Sequence, residues 1–148
     1  MKIFLKALVF AGIFFAGMQN AAANPFAHVD ALICEFSPGF TADWEQGGPV
    51  LVEGKFGEAI IFDSIDFAKG TARMRGNNAS PKLVVSADVL GITFLEKLDG
   101  GTVVVTTVFA NHHGGDSSRY SAVHSRHMTS LLLHPLPSQY HGTCKELK

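Results

Sequence analysis

The stretch Lys82–Phe109, KLVVSADVLGITFLEKLDGGTVVVTTVF, decides the fold class. Lys82–Asp88 and Ile92–Leu98 are two β-rich runs parted by Asp88-Val89-Leu90-Gly91. Asp99-Gly100-Gly101 then supplies the positive-φ positions of a tight hairpin. The next run, Thr102–Phe109, holds four valines and three threonines, whose branched side chains suit a pleated surface. Alternation orients the runs: Ile92, Phe94 and Leu98 point one way and Thr93 and Lys97 the other, while Val103, Val105 and Phe109 share one face. Three antiparallel strands in a meander follow from this reading.

Further runs flank the meander. After the glycine-rich segment Asn111–Ser118, Arg119–Ser125 reads as a fourth strand, and Ser138–Lys145 as a closing one. Upstream, Ala31–Phe36 and Glu58–Asp63 read as strands, with Val50–Glu53 and Thr71–Met74 weaker. Helical periodicity is missing after residue 23. Six to nine short strands in one domain predict an all-β fold, either a small antiparallel up-and-down barrel or a sandwich. Phe36, Phe40, Trp44 and Phe94 are expected to fill its core. In Phe62-Asp63-Ser64-Ile65-Asp66-Phe67 the apolar residues should pack while the aspartates make turn hydrogen bonds.

Residues 1–23 have the three parts of a secretory signal peptide: Lys2 and Lys6, the uncharged stretch Ala7–Met18, and the small residues Ala21-Ala22-Ala23. The apolar run falls short of the roughly 20 residues that span a bilayer, so cleavage after Ala23 is favoured over a retained anchor. The remaining domain, 24–148, keeps 13 acidic and 10 basic residues, a net charge of −3 against −1 for the whole chain. That balance excludes a basic nucleic-acid-binding protein, and no second apolar run reaches spanning length. The expected compartment is the periplasm or the exterior. There the only two cysteines, Cys34 and Cys144, most simply form one disulfide, and the lack of a C-x-x-C spacing disfavours a redox pair.

No phosphate loop, zinc-finger cysteine set or nucleophile elbow is present, so the chemistry must be sought in weaker clusters. His112, His113 and Asp116 share a glycine-rich loop and could hold zinc or copper, against the plainer reading of a solvated hairpin tip. In His124-Ser125-Arg126-His127 an arginine between two imidazoles could bind an anion, although His124 and His127 would face opposite sides of a strand. Gly115-Asp116-Ser117-Ser118 is similar to the Gly-Asp-Ser segment of some serine hydrolases, with His124 or His127 as candidate base. It lacks the following helix and the later Asp-x-x-His that those enzymes carry.

The outline resembles small exported bacterial proteins and, among defined families, the periplasmic inhibitors of C-type lysozymes. Those are β-barrels with cysteines near both ends and a Ser-Gly-x-x-Tyr-like loop that enters the lysozyme cleft. The matching segment is Ser117-Ser118-Arg119-Tyr120, followed 24 residues later by Cys144. The family glycine and its later Trp-x-x-Gly landmark are absent. The resemblance implies a non-catalytic binding module that presents the 111–120 loop to a protein partner, with Arg119 and Tyr120 as anchors. The alternatives are a periplasmic metal-binding protein and, less favoured, a small hydrolase. Protein recovered from the periplasm or the medium should lack residues 1–23 and weigh two hydrogens less than its reduced form; denaturing mass spectrometry checks both.

Overall fold

The described residues form ten strands, eight of which close on themselves, with inward and outward side chains alternating along strands such as β6, β7 and β8. The computed structural model describes residues 24–75, 82–129 and 134–148. The expected signal peptide at 1–23 and the formal glycosylation triplet Asn78-Ala79-Ser80 lie outside them. The strands are β1 (Leu32–Phe36), β2 (Gly39–Glu45), β3 (Gly48–Gly54), β4 (Ile60–Asp66), β5 (Thr71–Arg75), β6 (Lys82–Ala87), β7 (Gly91–Lys97), β8 (Val103–His112), β9 (Tyr120–Thr129) and β10 (Pro135–Glu146). The barrel order is β1-β4-β5-β6-β7-β8-β9-β10, every pair is antiparallel, and β1 pairs with β10 to close it. Hairpin β2–β3 extends the sheet from β10. The fold is all-β, and between barrel and sandwich it is a barrel.

The central meander forms as its sequence dictates. Residues Asp99–Gly101 join β7 to β8 in a short 3-10 turn, with Gly100 and Gly101 at φ 77° and 83°. Strand β8 departs from the expected end at Phe109 and runs on to His112, because His112 still pairs with Tyr120 of β9. Its core-facing residues are Val104, Thr106 and Val108; Val103 and Val105 are half-buried on the other face, with Phe109 exposed beside them. In a run apolar on both sides, composition does not mark the buried face; the pairing partners do.

Hairpin β2–β3 overturns part of the expected core. Phe40 and Trp44 are 57% and 43% exposed, whereas Phe94 is buried and Phe36 packs against the core. Strand β2 lies outside the runs that the sequence marks, since most of its residues are exposed or half-buried and no apolar face distinguishes it. In β4 the expected split holds in part. Phe62 and Ile65 are buried, and Asp66 accepts the backbone N–H of Lys69 at 2.9 Å. Asp63 instead takes Arg73 and Arg75 on the outer face at 3.0 and 3.1 Å, next to a register shift where Ser64 has φ 52°.

One end of the barrel is packed solid. Phe62 and Phe94 stack at 4.0 Å between centroids, above Leu32, Leu83, Ile92 and Val108. The turn before β1 plugs this end with the fully buried Phe26, whose N–H bonds Asn24 Oδ1 and whose ring lies 4.8 Å from Tyr120. Cys34 and Cys144 pair directly across the β1–β10 seam and form the disulfide, both buried. Linking positions 110 residues apart removes much unfolded-chain entropy, roughly 4–5 kcal/mol in the chain-entropy model. Replacing both cysteines by alanine should cost about 2–5 kcal/mol in denaturant unfolding. A loss under about 1 kcal/mol would mean that the β1–β10 ladder closes the barrel unaided.

Candidate functional site

Among the described residues the opposite end of the barrel is not filled by side chains, and the strand register explains what lines it. Across β7, β8, β9 and β10 the inward residues fall in rows. One row is Phe94, Thr106, His124 and Tyr140; the next, nearer the mouth, is Glu96, Val104, Arg126 and Ser138. Polar groups therefore replace the aromatic and aliphatic filling as the chain nears this end. They bound a cavity of about 630 Å³, whose apolar wall includes Ile60, Met74, Leu98, Val104 and Met128.

His124 is the most constrained group there. Arg126 Nε donates to His124 Nε2 at 3.2 Å, so Nε2 must be the unprotonated nitrogen. Nδ1 then carries the proton and donates to Thr106 Oγ1 at 2.8 Å. Burial, and after it the Arg126 charge, pushes its pKa down to about 4. The ring is a neutral strut with both nitrogens occupied. Phe56, from the link between β3 and β4, packs on Phe36, His124 and Tyr140 at 4.9–5.0 Å. The Arg126 guanidinium carbon lies 5.0 Å from the Phe56 centroid and 5.4 Å from that of Tyr140, so two rings hold the cation.

Glu96 faces inward at 6% exposure and lines the cavity, and burial raises its pKa. It has no hydrogen-bond or ion-pair partner among the described residues. Sequence reasoning missed it, although the clue was present: Glu96 sits at the alternate position of a face otherwise formed by Ile92, Phe94 and Leu98. Phe56 carried no such mark, since it belongs to no strand.

The residues singled out from sequence are partly reunited and partly separated. His124 and Arg126 come together inside, while His127 is exposed on the other side of β9. Tyr120 is not a surface anchor. Its ring is buried against Phe26, and its hydroxyl donates to Glu146 at 3.2 Å, because inward alternation on β9 starts with it. Arg119 stays partly exposed and reaches Thr143 at 3.2 Å, Glu35 at 3.7 Å and Asp116 at 3.8 Å. Asp116 accepts both the N–H and the hydroxyl of Ser118, which hold its pKa below the usual carboxylate range. Ser117 is exposed, and no described histidine bonds its hydroxyl. His112 lies against Tyr120 at 5.1 Å, and His113 enters a short 3-10 turn. No group of three or more metal-ligating side chains converges among the described residues.

No protein-family model, no curated protein and no solved structure matches the chain.

The His124 environment sets a pH dependence. The unfolded chain takes up a proton near 6.5, whereas the folded ring resists it until about 4. This contribution to stability is therefore complete above about pH 6.5 and is lost as pH falls toward 4, to a total of about 3 kcal/mol. Between those pH values His124→Gln should lose about 3 kcal/mol less than the parent in urea unfolding. Equal losses would show that the folded ring titrates freely.

Proposed function

We propose that this chain is an exported, non-catalytic binding module that holds a small, largely apolar molecule in the mouth of its barrel. The observation that carries this reading is the cavity of about 630 Å³ at one end of a barrel whose other end is packed solid. Sites for small molecules are typically concave, about 300–1,000 Å³, and apolar with a few convergent polar groups. Glu96 and Arg126 supply such groups. The neutral, doubly bonded His124 suits a rigid wall better than a base, which supports binding over turnover.

Export is supported by the signal-like sequence of residues 1–23 and by the disulfide, which persists in oxidising compartments such as the periplasm or the medium. Among the described residues no helix is long and apolar enough to cross a membrane. We keep the binding-module reading as a proposal and take the mouth, in place of the 111–120 loop, as its surface. A protein partner at the 111–120 loop would find the Tyr120 ring turned inward and Arg119 already engaged.

The test uses the uncharged fluorophore N-phenyl-1-naphthylamine with the mature, disulfide-bonded protein. It should bind one to one with enhanced emission. Val104→Trp, which fills the cavity from β8, should abolish the enhancement, and Arg119→Ala should leave it unchanged. Undiminished binding by a folded Val104→Trp protein would rule out the mouth as the site.

A further inference from the structure

The geometry points to an amphipathic anion as the ligand, its head on Arg126 and its apolar body along Ile60, Met74 and Val104. This inference rests on the mouth being a ligand site and adds the chemical class of what enters it.

One arginine lacks a counter-ion among the described residues. Among the described arginines, Arg73 and Arg75 pair with Asp63, and Arg119 reaches Glu35 and Asp116. Arg126 has no carboxylate within 4.0 Å among the described residues, yet it is half-buried and lines the cavity. A guanidinium cannot escape the cost of lost water by giving up its proton. Among the described residues only its Nε is hydrogen-bonded, to His124, and the rings of Phe56 and Tyr140 flank it. The terminal nitrogens of such a fork match two oxygens of a carboxylate.

Glu96 is the obvious internal counter-ion, and it does not serve. Val104 stands between it and Arg126 in the same row, which sets their Cα atoms about 10 Å apart, two strand spacings. Burial raises its pKa, and no Arg126 charge offsets that rise. The other ionisable groups at the mouth do not alter the balance: Arg75 is held by Asp63, and Glu58 is exposed. His124 is neutral. The guanidinium of Arg126 thus lines the mouth with no carboxylate of the described residues beside it, and Glu96 sits two strands away, where its carboxyl can meet a polar atom farther along the bound molecule.

Titration calorimetry with three chains of equal length separates the possibilities: dodecanoate, dodecanol and dodecylammonium, each below its micelle or solubility limit at about pH 8, where the first is anionic and the last cationic. Dodecanoate should bind about tenfold or more tighter than dodecanol, and dodecylammonium weakest. Arg126→Gln should bring dodecanoate down to the dodecanol level while dodecanol keeps its affinity within about twofold, and Arg126→Lys should restore part of the preference. Dodecanoate no better than dodecanol, or a preference for the ammonium, would overturn the anion assignment and leave the small-molecule reading standing. Failure of all three chains to bind would instead count against that reading. Should Arg126→Gln not fold, the order of the three chains on the parent protein decides alone.

Discussion

The pairing of β1 with β10 is the contact on which the rest of the barrel depends. Seven consecutive antiparallel pairings build a curled sheet, but only this eighth one removes its open edges. The seam joins residues more than a hundred positions apart, so it forms at high entropic cost. Its register runs from Leu32 opposite Glu146 to Phe36 opposite Gly142, with Cys34 opposite Cys144 at its centre. The backbones come so close that a Cβ on Gly142 would strike the Glu35 carbonyl and Phe36. The covalent link and the glycine thus serve one purpose: to hold the ends of the domain together at that spacing.

Beyond Phe36 the same edge of β10 passes to β2, with Gln139 opposite Phe40. This handover gives the barrel its asymmetry. At the closed end β1 stands between β4 and β10, and the Phe26 turn seals the base. Toward the mouth the chain leaves through the β2–β3 hairpin and returns along the link that carries Phe56. That ring then lies on the aromatic row of His124 and Tyr140 and forms part of the cavity wall. A cavity persists where inward residues are polar or charged, since Glu96 and Arg126 could be packed dry only at the cost of desolvating charge. The cavity at one end and the packed core at the other are thus two consequences of one inward-facing pattern.

The sites that looked most suggestive in the sequence fared unevenly. Arg126 with His124 proved to be a spatial unit because residues two apart share a face of β9. The loop 111–120 offered adjacent histidines, serines and an arginine, but adjacency along a loop says little about convergence. Asp116 closes a local turn with Ser118, and Tyr120 begins the inward series of β9. In the segment Ser117–Tyr120, which with the barrel outline carries the resemblance to the lysozyme inhibitors, the Tyr120 ring faces the core.

Local chemistry was enough to determine the strands of the meander, the glycine turn at 99–101 and the all-β class. Each of these depends on residues within a few positions of one another, through β-branched propensity and positive-φ turns. The pairing of the two cysteines was also legible, since there was no other partner to choose. Three things were decided by tertiary structure alone. The buried face of β8 depends on its neighbours, because Val103–Phe109 offers apolar side chains to both sides. The exposure of Phe40 and Trp44 depends on where β10 hands its edge from β1 to β2. The mouth itself joins Phe56, Glu96, His124 and Arg126, which come from three separate parts of the chain. No local pattern specifies such a gathering, because it follows from the long-range register that closes the barrel.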